Sequence, residues 1–229
     1  MTKITHKKTS ILKHQGLVFD MDGTLLNTLE GHSKAFNRAL KKLKMPQHSI
    51  DSYRYFIGNG AQACAEKSLP ADSKHLVEAC VTLFKEDYAN SWQETTVPYL
   101  GIGKLLKKVS HLNIKISVLS NKDDKFTQEM IRKSFPSVNF DYIAGFGHEK
   151  IVKHKPHPSG PNLIASKLGV EVEHLVMIGD TPTDMKTAIT SHMTPIGVSW
   201  GFRTQKELYQ AGASEVLSAP EQLLDLLNA

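Results

Sequence analysis

Short apolar runs that end abruptly in a polar side chain recur along this chain. Gly16-Leu17-Val18-Phe19 runs into Asp20, the β-branched stretch from Ile114 to Leu119 into Ser120-Asn121, and Leu175-Val176-Met177-Ile178 into Gly179-Asp180. Each has the length and composition of a buried strand. Pro195-Ile196-Gly197-Val198 has the same character, and Tyr142-Ile143-Ala144 is a weaker strand with Gly145 and Gly147 as turn signals after it. Helical periodicity fills the intervals over 102–109, 125–135, 161–168 and 183–191, and again over 220–227, where Pro220 opens the helix and leucines line one face. Strand alternating with helix predicts an α/β fold: a doubly wound, Rossmann-like parallel sheet with helices on both faces.

One stretch breaks the rhythm. From Leu29 to Val97 the pattern is helical throughout, with Ala35, Phe36, Ala39, Leu40 and Leu43 spaced along one helix face and Leu76, Ala79, Cys80, Leu83 and Phe84 along another. Pro46, the turn Gly58-Asn59-Gly60 and Pro70 separate these helices. The expected organisation is an α/β core over 12–28 and 97–229, a small helical domain inserted over 29–96, and a basic N-terminal tail over 1–11.

Composition narrows the class. The 229 residues are 40% hydrophobic, enough for a packed core, and 28 Lys and Arg against 23 Asp and Glu leave a net charge of +5. That surplus permits anionic partners without choosing among them. Cys64 and Cys80 form neither a disulfide framework nor a CxxC zinc site and read as buried apolar residues on helices. No apolar run approaches the ~18–20 residues of a membrane span. The N-terminal stretch is polar, with Lys3, Lys7, Lys8 and Lys13, and lacks the pattern of a signal peptide. A cytoplasmic protein with no membrane partner is expected.

The chemistry gathers at the strand ends. Asp20 and Asp22 follow the first run, Ser120 the second, and Asp180 and Asp184 the fourth, and in parallel α/β sheets these ends converge on the ligand-binding crevice. Singly, an Asp at a strand end is a turn or helix cap, Ser120 a loop serine and Lys155 a solvated lysine. Two carboxylates one residue apart, directly after a buried strand, repel each other unless they have a task. An all-oxygen cluster suits Mg2+, and Lys155 supplies the positive side chain that a phosphate needs.

Together these residues resemble the haloacid dehalogenase-like hydrolases. Asp20 to Thr24 matches the first motif of that family, DxDGT; Ser120 the second; Lys155-Pro156 the third; and Gly179, Asp180 and Asp184 the fourth, GDxxxD. The resemblance spans nearly the whole chain, including a helical cap between the first two motifs. It implies that Asp20 is a nucleophile forming an aspartyl-phosphate, and that Asp22 is the general acid and then the base. Mg2+ would be held by the Asp20 side chain, the backbone carbonyl of Asp22, and Asp180. Ser120, Asn121 and Lys155 would bind the phosphoryl group, with Thr24 and Asp184 supporting the site from behind. Asp22 itself points to phosphoryl transfer, because the dehalogenases of the family lack an Asp there.

Within the family the nearest likeness is to phosphoglycolate phosphatases. It rests on the small cap, Phe56 to Gly60 within it, Pro98-Tyr99-Leu100-Gly101 at the re-entry, and Ser199-Trp200-Gly201-Phe202 after the last strand. The implied substrate is a small phosphorylated metabolite, 2-phosphoglycolate first, with Gly58, Asn59 and Gly60 as a cap loop meeting it. Arg54 and Arg203 are further candidates for an anionic group of the substrate. Asn27-Thr28 departs from the family's Asp-Ser or Asp-Thr at the cap hinge. A β-phosphoglucomutase-like phosphomutase, a pyrophosphatase or nucleotidase, and a silent regulatory protein on the same fold stay open as alternatives. Nucleic-acid binding rests on net charge alone and is not expected, and either a monomer or a homodimer fits.

Overall fold

The computed structural model describes residues 14–151 and 153–227; the basic tail expected over 1–11 lies outside them. β1 (Gly16–Phe19) is buried along its whole length. It leads through a short β2 (Leu26–Asn27) into the helices α1 (Leu29–Lys42), α2 (Ile50–Phe56), α3 (Gly60–Ser68) and α4 (Val77–Thr95). β3 (Val97–Pro98) pairs antiparallel with β2, placing Leu26 opposite Pro98 and Asn27 opposite Val97, so the chain leaves and re-enters the core at one point. The rest alternates: α5 (Ile102–Val109), β4 (Lys115–Asp123), α6 (Asp124–Ser134), β5 (Tyr142–Phe146), α7 (Ser159–Leu168), β6 (Leu175–Gly179), α8 (Pro182–Thr190), β7 (Thr194–Val198), α9 (Gln205–Gln210), β8 (Glu215–Leu217) and α10 (Gln222–Leu227).

The larger sheet has the order β5-β4-β1-β6-β7-β8 and every pairing in it is parallel. The chain builds outward from β1 through β4 and β5, then returns to lay β6 on the other side of β1. Strand order therefore reverses beside β1, which is where open α/β sheets bind ligands. Register fixes the rest: Phe19 lies opposite both Val118 and Ile178, so the residues that follow all three strands emerge along one edge.

Alternation of side chains divides the core. Leu17, Phe19, Val176 and Ile178 pack with Leu105, Leu106, Met130 and Ile131 on one face, while Val18, Leu175 and Met177 pack with Ile164, Ala165 and Ala188 on the other. Each fully buried Leu or Phe contributes roughly 1.5–3 kcal/mol relative to exposure. The inserted helices share the first of these clusters. α1 lies along α4 through Phe36 and Phe84, whose rings stack at 3.9 Å.

The structure corrects several details of the pattern reading. The buried stripe of α4 is Val77, Cys80, Phe84, Tyr88 and Trp92, whereas Ala79 is exposed and Leu76 and Leu83 are only partly covered. The aromatic residues farther along the helix, at three- and four-residue spacing, set the face. Gly145 is not a turn residue but lies within β5, where a Cβ would come 2.6 Å from the Cα of Asp124 at the start of α6. α8 is capped by Thr181 in a capping box with Asp184, and Thr183 sits inside the helix. Cys64 and Cys80 are both free and buried. No helix of the described residues is long and apolar enough to cross a membrane.

Candidate active site

Asp20 is the first residue beyond β1, and its backbone N–H donates to Ile178 O at 2.8 Å, continuing the sheet by one residue. The chain then turns at Gly23, where φ is +88° and a Cβ would lie 2.2 Å from Oδ2 of Asp180. Glycine is needed twice over, for the left-handed backbone and for the approach of Asp180. Thr24 Oγ1 donates to Asp180 Oδ1 at 3.1 Å, and the Phe202 N–H donates to Oδ2 at 2.7 Å. The turns after β1, β6 and β7 thus fix one buried carboxylate between them.

Lys155 reaches the site from the loop before α7. Its ammonium donates to Asp20 Oδ1 at 2.8 Å, Asp184 Oδ1 at 2.7 Å and Leu119 O at 3.1 Å, which occupies all three of its donors. Burial lowers its proton affinity, but Asp184 and Asp20 outweigh that and hold its pKa above the ordinary value. Asp184 is fixed from the other side, its Oδ2 accepting from the Thr181 N–H at 3.0 Å and the Thr181 hydroxyl at 2.6 Å. The residue that completes the helix cap is thus also the one that holds Lys155.

Ser120 and Asn121 lie in β4. Ser120 Oγ accepts from the Lys122 N–H at 3.2 Å. Asn121 Oδ1 accepts from the Lys155 N–H at 2.6 Å, while its amide donates to Gly58 O at 2.9 Å and to Lys155 O at 3.3 Å. Gly60 packs so closely on the core that a Cβ would meet His154 Nε2 at 2.6 Å, and Asn59 Oδ1 accepts from the Thr183 hydroxyl at 2.9 Å. Gly58 and Gly60, with Asp20, Asp22, Ser120 and Asn121, line a narrow cavity with about 40 Å3 of free space.

Asp22 stands apart from the other carboxylates. Its Oδ1 lies 3.4 Å from the ammonium of Lys122, a residue the motifs did not single out. Burial pushes Asp22 up, but Lys122, His32 and the Thr28 hydroxyl more than offset it, and the carboxyl is held below its usual value. His32 Nδ1 faces Thr28 O at 2.9 Å and so carries the proton, which leaves Nε2 to accept from Lys122 Nζ at 2.7 Å. Burial and the neighbouring ammonium push the His32 pKa down to about 4, so the ring is neutral near pH 7. Arg54 and Arg203 do not line the cavity. Arg54 donates to Gly201 O at 3.2 Å, and Arg203 donates to Arg54 O with its guanidinium over the Tyr55 ring.

Carboxylate oxygens of Asp20, Asp180 and Asp184 come within 4.8 Å of one another, all buried, with Lys155 as their cation. For Asp20, burial is opposed by Lys155 but reinforced by Asp184 and Asp180, so its pKa stands well above the ordinary value. Burial and Asp184 push Asp180 up to about 7, against the hydrogen bonds from Phe202 and Thr24. A divalent cation among these oxygens would relieve the repulsion, and an oxygen-only donor set suits a hard one. The Asp22 side chain is not in this cluster, so only its backbone carbonyl is left to take part.

A carboxylate at the end of the central strand, a lysine bridging two carboxylates and an acidic cluster able to hold a cation thus meet at the switch point of the sheet. The sequence profile of the haloacid dehalogenase-like hydrolases matches residues 17–198, and the chain belongs to that family. The phosphoglycolate phosphatase of Pectobacterium atrosepticum is 28% identical over 217 residues, covering 92% of this chain and 88% of its own. That of Pseudomonas putida is 25% identical over 214 residues, covering 91% and 78%. A crystal structure from Lactobacillus delbrueckii subsp. bulgaricus, described as a candidate phosphoglycolate phosphatase, matches with a TM-score of 0.87 at 27% identity, covering 94% of this chain and 99% of that one. CbbY from Rhodobacter sphaeroides in complex with phosphate has the same fold, with a TM-score of 0.78 at 22% identity over 94% of this chain and all of its own.

Proposed function

We propose that this protein is a Mg2+-dependent phosphatase that hydrolyses a small phosphomonoester, 2-phosphoglycolate, through an aspartyl-phosphate on Asp20. The observation that carries the reading is the Asp20–Lys155–Asp184 bridge beside Asp180, built at the switch point of the sheet with Asp22 two residues from the nucleophile. Asp20 and Asp180, with the backbone carbonyl of Asp22, would hold Mg2+, which when bound lowers the charge that the attacking carboxylate and the phosphoryl oxygens present to each other.

The chain's own residues supply the remainder. An Asp20 carboxylate oxygen attacks phosphorus and the bond to the leaving oxygen breaks. Asp22 delivers a proton to that oxygen, so it departs as a hydroxyl rather than an alkoxide. Water then attacks the same phosphorus, losing a proton to Asp22, and phosphate leaves as the Asp20 carboxylate is restored. In the substrate-free protein Lys122 keeps Asp22 ionised, the form needed for the second half. A substrate anion that shares Lys122 loosens that hold and favours the protonated form needed for the first. Ser120, the Asn121 backbone and Lys155 would meet the phosphoryl oxygens, and the cap loop Gly58-Asn59-Gly60 would exclude bulk water.

The test is phosphate release from a panel of phosphorylated metabolites with Mg2+ and with EDTA. The expected result is the highest kcat/KM on 2-phosphoglycolate and no turnover in EDTA. Hexose phosphate isomerisation without phosphate release would overturn the hydrolase.

A further inference from the structure

The cavity holds a cation that the phosphate end does not use. Among the described residues that line it, Lys122 is the only one with a positive charge; beyond Asp20 the walls carry Asp22, Asp123, His32 and Tyr88 beside the apolar Phe36, Ile57, Cys64, Phe84 and Phe126. The other cations near the site are committed elsewhere. Lys155 is held at the phosphate end by Asp20, Asp184 and Leu119 O, and Arg54 and Arg203 are tied to backbone carbonyls.

Lys122 is placed for a ligand and poorly satisfied without one. It follows Ser120 and Asn121 in β4, so it continues the row of polar groups that begins at the phosphate side. Its ammonium donates to the bare Nε2 of His32 at 2.7 Å and, at 3.5 Å, to the Tyr88 hydroxyl, and sits 4.6 Å from the centre of the Tyr88 ring. Asp22 Oδ1, 3.4 Å away, has no hydrogen-bond partner although it is buried. The charges therefore face each other without a formed hydrogen bond, and of the three donors on Lys122 only the one given to His32 is in a short bond. His32 cannot compete for an anion, since its only N–H is given to Thr28 O. It aims the ammonium.

We infer that Lys122, oriented by His32, binds a carboxylate at the far end of a two- or three-carbon phosphomonoester and thereby sets substrate preference. The inference rests on the phosphatase reading above and deepens it. A carboxylate entering an apolar cavity needs a partner to replace its lost hydration, and within this one only Lys122 can give a charge-assisted bond. A neutral chain of the same size leaves the ammonium unpaired and is bound less well. The alternative role, a lysine that serves only Asp22, affects every substrate equally.

The experiment compares 2-phosphoglycolate with ethyl phosphate, which differs in lacking the carboxylate, using the full chain with Mg2+. For the wild type the ratio of kcat/KM values is expected to favour 2-phosphoglycolate by about 100-fold, falling about tenfold or more in Lys122→Met, chiefly through KM, and partly recovering in Lys122→Arg. An equal loss on both substrates, with the ratio unchanged, overturns the inference. Should Lys122→Met fail to fold, wild-type binding of phosphonoacetate against ethylphosphonate decides: a preference of about tenfold or more is expected, and equal affinity overturns it. If the wild type hydrolyses neither ester, the phosphatase reading itself fails; if it hydrolyses both equally, only the role of Lys122 does.

Discussion

At the scale of single residues, the site contains groups whose removal has opposite effects on stability. Lys155 is buried against two carboxylates, so Lys155→Met leaves Asp20 and Asp184 facing each other without a cation. Breaking a buried pair from one side costs about 3–5 kcal/mol, which for a chain of this size lowers Tm by roughly 10 °C. Asp20→Asn instead removes one member of a repelling cluster. It should abolish phosphate release yet leave Tm at pH 8 unchanged or higher in EDTA. Thermal melts of the two variants check this: a large drop for Asp20→Asn would mean that its charge holds the fold together. The positions of Asp20, Asp22, Ser120, Asp180 and Asp184 were legible because each closes an apolar run or sits at a fixed spacing from one, and Lys155 because a proline follows it. Lys122 was not. A lysine after a strand looks solvated, and what buries it are His32 and Tyr88, 90 and 34 residues away in the chain.

At the scale of elements, strands with long apolar runs were readable and those without were not. β8 has three residues and β2 and β3 have two each, too few for any period to show. α9 carried a signal that periodicity missed, the capping box of Thr204 and Glu207. No spacing rule reveals that α3 begins against the core at His154, because that depends on how the inserted helices seat. Two glycines with similar backbones test the seat. Gly60 and Gly169 have φ of +86° and +67°, but a Cβ at Gly60 would strike His154 whereas one at Gly169 meets nothing within 4 Å. Alanine strains either backbone by about 1–2 kcal/mol. Gly60→Ala should lower kcat/KM about tenfold by displacing the cap loop, and Gly169→Ala should melt lower with activity intact. Equal kinetics in the two variants would show that the seat of α3 has no bearing on turnover.

For the molecule as a whole, the net charge of +5 conceals a buried acidic centre in which three carboxylates face one ammonium. In the metal-free protein Asp180 has its pKa raised from 3.8 to about 7, and that of Asp20 is raised as well. Their protonated forms contribute stability that is fully present below about pH 4 and lost as pH rises through about 7. His32 works in the opposite sense, since its pKa is lowered to about 4 in the fold from 6.5, so its contribution is lost as pH falls below 6.5. Above pH 6.5 the effect of His32 fades, and the raised carboxylates pull the slope downward. Between pH 6.5 and 8.5 the Tm measured in EDTA should therefore fall by several degrees. Mg2+ competes with protons for the same oxygens, so its stabilisation should grow over that interval and the two melting curves should diverge. Asp20→Asn, with one carboxylate fewer, should flatten the EDTA curve. A Tm independent of pH in EDTA, with an equal Mg2+ increment throughout, would show that the cluster is already neutralised by Lys155 and needs no further cation.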